Sequence, residues 1–206
     1  MGWMRVTSAR DRRLSWAISR LILVVLWLAL EACAGAVERE WTEQVSLEDG
    51  TLITVERLVR FAESNSWSGD AYSAELTESA LRIRHSSGSL PEWNFPLRPL
   101  VIFRDANMLE WGIVATTYSC EYWYGHHMPT PPYWEYRLRN GSWSEVPLSQ
   151  KSLGMQTNLF IFYEREMPKS PISLAVKTRL MKDELVGEKS RVIAPRAKLN
   201  CDAVNN

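Results

Sequence analysis

The sequence WTEQVSL at residues 41–47 is followed by the triplet Glu-Asp-Gly at residues 48–50 and then by ITVERLVRF at residues 53–61. In both runs the larger apolar residues recur at odd positions, which is the two-residue period of a strand with one buried face. A two-residue turn would scatter these apolar residues over both faces. A three-residue loop with its glycine in a left-handed conformation instead places Val45 opposite Ile53. The pattern therefore predicts an antiparallel hairpin closed by a three-residue loop.

A second hairpin is predicted around Asn140-Gly141, the strongest short turn pair in the chain. Alternating runs flank it at residues 134–138 and 142–146. A two-residue turn at this pair places Leu138 opposite Trp143.

Other segments complete the predicted architecture. Strand patterns occur at residues 81–85, 100–103, 113–117 and 159–163. One helix is predicted near the end, where Ser170-Pro171 resembles a cap followed by proline in the first turn. The apolar residues spaced for one face of this helix are Leu174, Val176, Leu180 and Leu185. We predict a mainly β, β-rich α+β fold: an antiparallel sheet or a small sandwich or barrel, with one minor C-terminal helix.

The N-terminal region has the composition of an export leader. Arginines precede the ten-residue apolar run from Leu21 to Leu30, which is far shorter than the roughly 20 residues of a membrane-spanning helix. We expect residues 1–32 to be a signal peptide or an N-terminal membrane anchor, and residues 33–206 to form a single periplasmic β-rich domain.

The apolar run closes with Leu30-Glu31-Ala32-Cys33, in which a small residue precedes the cysteine, as in the leaders that bacterial export uses to place a lipid on a new N-terminus. Cys33 is therefore the candidate lipidation residue. Two other outcomes stay open: ordinary cleavage after Ala34 or Ala36, which would release the chain into the periplasm, or an uncleaved leader that anchors it.

Charge and cysteine content agree with export. The first 32 residues carry five Arg against Asp11 and Glu31, a net charge of +3, and the whole chain has a net charge of +0, so the remainder has −3. A mildly acidic mature chain lacks the clustered cations that nucleic acid requires, and we exclude nucleic-acid binding on that ground. With Cys33 lipidated, Cys120 and Cys201 are left to form a disulfide in an oxidising compartment; the alternative is two unpaired thiols.

Recognisable catalytic chemistry is absent from the sequence. His126-His127 is the only histidine pair, with Cys120, Glu121 and Glu135 near it. Adjacent histidines on a strand point to opposite faces, and no further ligand stands at metal-binding spacing, so we interpret the pair as exposed loop residues. We predict no catalytic residue, metal site or cofactor.

Aromatic residues are concentrated between residues 118 and 143. Rigid rings can stack on sugar faces or anchor a protein partner, because they offer a large contact area at little conformational cost. The alternative, which we favour, is that they line the core of a β domain. The candidate ligand-binding aromatics are Tyr122, Trp123, Tyr124 and Trp134.

The mature start Trp41-x-Glu43-x-Val45-x-Leu47-x-Asp49-Gly50 is followed in order by Cys120, Pro131-Pro132-Tyr133 and Asn140-Gly141-x-Trp143. This pattern resembles a group of uncharacterised proteobacterial lipoproteins and spans most of the mature chain. The resemblance implies a leader and a lipidation cysteine but no activity. Ala34 after the cysteine implies the outer rather than the inner membrane, while Glu31 departs from the usual small or hydroxyl residue.

Together these features predict a non-enzymatic cell-envelope protein, membrane-anchored and facing the periplasm, with a structural or interaction role. Its expected partners are the membrane, through a lipid anchor or leader helix, and an envelope protein or glycan. The alternative function is a glycan- or peptidoglycan-binding module that uses the clustered aromatics.

Overall fold

Strands dominate the computed structural model, which describes residues 37–62, 76–85, 88–105, 110–161, 171–182 and 192–201. The strands are β1 (Val37–Ser46), β2 (Leu52–Phe61), β3 (Leu76–His85), β4 (Gly88–Ser89), β5 (Trp93–Phe95), β6 (Arg98–Asp105), β7 (Glu110–Thr116), β8 (Tyr133–Arg139) and β9 (Ser142–Val146). The helices are α1 (Cys120–Gly125) and α2 (Leu174–Lys182). The predicted β-rich class with a minor C-terminal helix is confirmed.

The strands form two antiparallel sheets. Sheet A has the order β1-β2-β3-β4, with β5 also paired to β3, and sheet B has the order β6-β7-β8-β9. One cluster of buried side chains contains residues from both sheets, among them Val55 and Ile83 of sheet A and Ile113 and Tyr136 of sheet B. The sheets therefore pack face to face as a sandwich and not as a closed barrel.

Both predicted hairpins are confirmed in register. Val45 pairs with Ile53, and the loop between them has Gly50 at φ +80° and the Asp49 carboxylate accepting from the Thr51 amide at 2.8 Å. Leu138 pairs with Trp143 across a turn in which Asn140 and Gly141 have φ values of 51° and 78°. Two successive positive φ values are the signature of the turn that twists with the flanking strands.

The strands predicted at residues 81–85 and 100–103 lie within β3 and β6, and the strand predicted at 113–117 lies in β7 except for Thr117, which follows the end of β7. The strand predicted at 159–163 is wrong for the described part of it: Leu159 to Ile161 is buried but forms no strand. Leu159 donates its amide to the Leu100 carbonyl at 3.2 Å, and Phe160 donates its amide to the Glu43 carboxylate at 2.8 Å. The Leu100 carbonyl, which lies at a bulge in β6, and the Glu43 side chain thus accept the hydrogen bonds that a neighbouring strand would otherwise accept.

The Asn158 side chain forms hydrogen bonds to one strand of each sheet. Its side-chain amide accepts from the Ile102 amide at 2.9 Å and donates to the Ile102 carbonyl at 2.8 Å, as a neighbouring strand would. It also lies 3.2 Å from the Ser46 carbonyl of β1. The edge strands β1 and β6 are therefore linked at this point through one side chain.

Helix α2 begins later than the sequence predicts. Its first residue is Leu174, and the Ser173 hydroxyl accepts from the Val176 amide at 3.3 Å, so Ser173 caps the helix instead of Ser170. Ile172 pairs with β1 through bonds to Thr42 and Gln44, which extends the chain before the helix. Ser170, Leu185, the leader and Cys33 lie outside the described residues. Within the described ranges, neither helix has the length and apolar character needed to cross a membrane.

Candidate functional site

Helix α1 carries most of the predicted ligand-binding aromatics and is fixed at its N-terminal end. The Ser119 hydroxyl accepts from the Tyr122 amide at 3.1 Å and caps the first turn. The sulfur atoms of Cys120 and Cys201 lie at disulfide bonding distance, with their Cα atoms 5.5 Å apart, as the sequence predicts. The bridge ties this helix to the C-terminal segment.

The four candidate aromatics come together, but they differ in exposure. Trp134 is 3% exposed and lies in the shared core, whereas Tyr122 and Trp123 are half-buried against it. The Tyr122 ring meets Trp134 edge-on at 5.6 Å, and the Trp123 indole donates to the Pro129 carbonyl at 3.0 Å. Tyr124 is 46% exposed. Tyr124 is therefore the one exposed residue among the four.

The histidine pair lies in the exposed loop after α1. The His126 imidazole stacks on the Tyr122 ring at 3.8 Å, and its Nδ1 atom lies 2.8 Å from the Tyr122 carbonyl. Cys120 is bound to Cys201, and the Glu135 carboxylate is occupied elsewhere, as described below. Within the described ranges, no group of three His, Cys, Asp or Glu side chains could hold a metal ion.

A buried group of charges on the inner face of sheet A is the feature that sequence reasoning missed. We call Glu43, Arg57 and Lys177 the inner cluster; their relative exposures are 0%, 5% and 3%. Arg57 Nη1 donates to Glu43 Oε1 at 3.0 Å, and Lys177 Nζ donates to Glu43 Oε2 at 3.0 Å. One carboxylate therefore serves two cations.

Two further donors fill the remaining acceptor sites of the Glu43 carboxylate: the Trp41 indole donates to Oε1 at 3.4 Å, and the Phe160 amide donates to Oε2 at 2.8 Å. Lys177 completes its coordination with the carbonyls of Gln44 and Asn158. Within the described residues, Glu43 is the one acid that Arg57 and Lys177 contact. The inner cluster thus carries a net charge of +1 when all three groups are ionised.

Burial opposes the charge on both cations. Desolvation lowers the pKa of Lys177, and the attraction of Glu43 offsets this only in part. Desolvation likewise lowers the pKa of Arg57. Both directions follow from the cost of a charge in a poorly solvated site, where one carboxylate does not balance two cations.

A cavity of about 30 Å³ adjoins the inner cluster. The residues around it come from sheet A, from the start of β6 and from the buried loop: Trp41, Arg57, Val59, Phe61, Leu76, Ser79, Arg98, Pro99, Phe160 and Ile161. Within the described residues, Arg57 Nε and Ser79 Oγ are buried without a hydrogen-bond partner. Such atoms are rare in folded proteins and call for an explanation at each occurrence.

A second buried group of charges lies on the face of sheet B turned away from sheet A. We call Asp105, Glu135 and Arg137 the outer cluster. Glu135 Oε1 accepts from Arg137 Nε at 2.7 Å, and its Oε2 accepts from the Ser149 amide and the Ser152 hydroxyl at 2.8 and 2.7 Å. These hydrogen bonds outweigh burial and lower the pKa of Glu135.

The sequence does contain a signal for the inner cluster. Glu43 and Arg57 occupy odd positions in the two runs whose odd positions are otherwise apolar. A charged residue on the buried face of an alternating strand requires a partner, so this pattern indicates a buried ion pair. Lys177 gives no such signal, because it lies 134 residues from Glu43 and in another element.

Comparison with known proteins adds no family to these observations: no protein-family model, no curated protein and no solved structure matches this chain.

Proposed function

We propose that this chain is an exported, non-enzymatic cell-envelope protein, held at a membrane by a lipid on Cys33 and facing the periplasm. Its role is structural or concerns interaction with another envelope component. Stable anchoring by lipid takes more than one acyl chain, so the modified cysteine would carry at least two.

The observation that carries this proposal is the pairing of Cys120 with Cys201. The sequence has three cysteines, so this pair leaves Cys33 as the one remaining cysteine. Structural disulfides persist in oxidising compartments and are rare in the cytosol. A paired couple in the folded part and one cysteine at the end of an apolar leader is the distribution expected of an exported lipoprotein.

Fractionation of a bacterial host that expresses the wild type beside Cys33→Ser tests the anchor. We expect the wild type in the membrane fraction, with an intact mass that includes the acyl groups, and the variant without that added mass. Wild-type protein in the cytosol, or a mature N-terminus without lipid, contradicts the proposal.

Alkylation of the unreduced protein, followed by mass spectrometry, tests the compartment separately. Material from the envelope should show Cys120 and Cys201 unlabelled until reductant is added. Two labelled thiols would remove the support that the disulfide gives to export.

Glycan binding is the second candidate, and the exposed ring of Tyr124 on the disulfide-fixed helix α1 favours it. Because Trp134 is in the core, the test concerns the exposed Tyr124, whose ring centroid lies 5.1 Å from that of Trp123. Tyr124→Ala should lower co-sedimentation with cell-wall sacculi. Leu52→Ala is the matched control, since Leu52 is 58% exposed in the first hairpin. Equal sedimentation of both variants and the wild type removes this candidate.

A further inference from the structure

The cavity beside the inner cluster combines buried donors, a surplus positive charge and apolar walls. Ser79 lies opposite Val59 in the sheet, and Arg57 lies opposite Leu81, so both polar side chains project from the same inward face. The Ser79 residue is 1% exposed and Arg57 is 5% exposed. Neither Ser79 Oγ nor Arg57 Nε bonds to any described protein atom.

The chemistry of these atoms selects an anion. An arginine Nε–H can only donate, and a serine hydroxyl can donate as well. Glu43 is already bonded at both oxygens and cannot serve the unused Nε atom. A partner that accepts from both groups and carries one negative charge would neutralise the inner cluster as well as satisfy its donors.

The size of the cavity limits which anions can bind in it. A volume of about 30 Å³ fits a group of two or three heavy atoms, since a single water needs roughly 10–15 Å³ on this measure. A phosphate or sulfate has five heavy atoms and is too large for this volume. A carboxylate has two acceptor oxygens, one charge and a flat shape.

Apolar side chains continue from the donors to the surface. Val59, Phe160 and Ile161 are buried beside the cavity, whereas Phe61 and Leu76 are half-buried and mark its solvent side. Val59, Phe160, Phe61 and Leu76 belong to one hydrophobic cluster. An aliphatic chain attached to the carboxylate would therefore meet apolar surface from the cavity outward.

We propose that this cavity is a binding site for an aliphatic monocarboxylate, whose carboxylate accepts from Arg57 Nε and Ser79 Oγ while its chain lies along Val59, Phe61 and Leu76. The site is independent of the compartment in which the protein works and of the anchor on Cys33. It is also separate from the exposed aromatic residues of α1.

The test measures binding of acetate, butyrate and octanoate to the folded protein by isothermal titration calorimetry, with sodium chloride at matched ionic strength in the background. We expect affinity to rise with chain length by about fourfold for each methylene that becomes buried. Octanol and octyltrimethylammonium are the controls for the charge, and both should bind far more weakly than octanoate. Equal binding of octanol or of the cation overturns the proposal.

Ser79→Ala locates the site without disturbing the ion pairs. We expect octanoate affinity to fall about tenfold, because the lost hydrogen bond is to a charged group. Ser144→Ala is the matched control, since Ser144 is exposed on β9 and does not line the cavity. Arg57→Lys should weaken binding further where circular dichroism shows a folded variant.

Two results would overturn the assignment. The absence of binding for all three carboxylates at millimolar concentration would mean that Arg57 Nε and Ser79 Oγ are satisfied by buried water only. Binding that Ser79→Ala leaves unchanged would place the carboxylate elsewhere on the protein. A length-dependent series that Ser79→Ala weakens and Ser144→Ala does not would support the proposal.

Discussion

The inner and outer clusters are both buried groups of charge on β-strands, yet they are balanced differently. In the inner cluster one carboxylate serves two buried cations. In the outer cluster Arg137 lies between two acids, Glu135 at 2.6 Å and Asp105 at 3.6 Å, and the exposed Lys151 approaches Asp105 at 3.7 Å. The outer cluster has a net charge of −1, which the exposed Lys151 offsets, whereas the inner cluster has a net charge of +1 and adjoins a cavity. Each cluster has one buried guanidinium nitrogen without a hydrogen-bond partner among the described residues, Arg137 Nη1 in the outer and Arg57 Nε in the inner cluster.

This difference distinguishes a cluster that the fold accounts for from a cluster that is a candidate binding site. Buried ion pairs are weak grounds for stability, because desolvation can cost as much as the attraction returns. In the outer cluster both Glu135 oxygens accept hydrogen bonds and the exposed Lys151 offsets the net charge, so the fold accounts for this carboxylate. The inner cluster has a surplus positive charge beside a cavity, and perturbed groups in such a setting are candidates for a site.

Substitution of the shared carboxylate should produce the largest effect. Glu43→Gln leaves Arg57 and Lys177 buried without an anion, so we expect the free energy of unfolding to fall by about 3–5 kcal/mol. Urea unfolding followed by tryptophan fluorescence measures it. In the outer cluster, Glu135→Gln leaves Asp105 beside Arg137, and we expect a smaller loss of about 2 kcal/mol. Equal losses would mean that the two clusters are balanced alike.

A glycine in sheet B should produce the next largest effect. Phe103 pairs with Gly112 across the sheet, and a Cβ added at Gly112 would clash with the phenyl ring. The Arg137 guanidinium also packs on this ring, 4.5 Å from its centroid. Gly112→Ala should displace Phe103 and cost about 2–3 kcal/mol of unfolding free energy.

Gly125→Ala is the matched control for that change. Gly125 ends helix α1, and an added Cβ there meets nothing within 4 Å. Its thermal midpoint should stay at or slightly above the wild-type value, since alanine favours the helical conformation. A Gly112→Ala protein as stable as Gly125→Ala would show that Phe103 can move without disturbing Arg137.

The hairpins could be predicted from the sequence because their determinants are local. Turn residues at 48–50 and 140–141 and the two-residue period fix both registers within a few residues of chain. The segment after Asn158 could not, because its backbone partners are the Leu100 carbonyl and the Glu43 carboxylate, far away in sequence. Its apolar run therefore has the composition of a strand without a strand to pair with.

The candidate site follows the same division. Glu43 and Arg57 stand out in the alternating runs, and a buried pair could be inferred from them. Lys177 makes the pair of Glu43 and Arg57 a cationic group, and this could not be predicted because it depends on where α2 packs. Ser79 has no distinguishing pattern either, since only the register of β2 with β3 places it beside the cavity.

Alanine substitution of two buried serines, Ser152 and Ser79, should affect the free energy of unfolding differently. The Ser152 hydroxyl donates to Glu135 at 2.7 Å, and Ser152→Ala should lower the free energy of unfolding by about 1–2 kcal/mol. Ser79→Ala removes a hydroxyl that bonds to no described protein atom, so in carboxylate-free buffer we expect no loss or a gain of up to about 1 kcal/mol. The same urea experiment measures both, and a comparable loss at Ser79 would indicate that its hydroxyl is satisfied in solution.

The smallest effect concerns pH. Because burial lowers the pKa of Lys177 below its ordinary 10.5, the folded protein binds fewer protons at this group than the unfolded chain in the window just below that value. The contribution of Lys177 to stability therefore rises with pH through the window, by at most about 1.4 kcal/mol per pH unit.

Tyrosines titrate near the same window and need a control. Burial raises the pKa of Tyr122, Tyr133 and Tyr136, so their contribution to the free energy of unfolding falls as pH rises above 10.0. This tyrosine contribution is the same in the wild type and in Lys177→Met. The difference in unfolding free energy between the wild type and Lys177→Met isolates the lysine, and it should shift in favour of the wild type as pH rises from 8 to 10.5. A constant difference would mean that Lys177 keeps its proton as readily in the fold as in water, and that the inner cluster tolerates its surplus charge without a ligand.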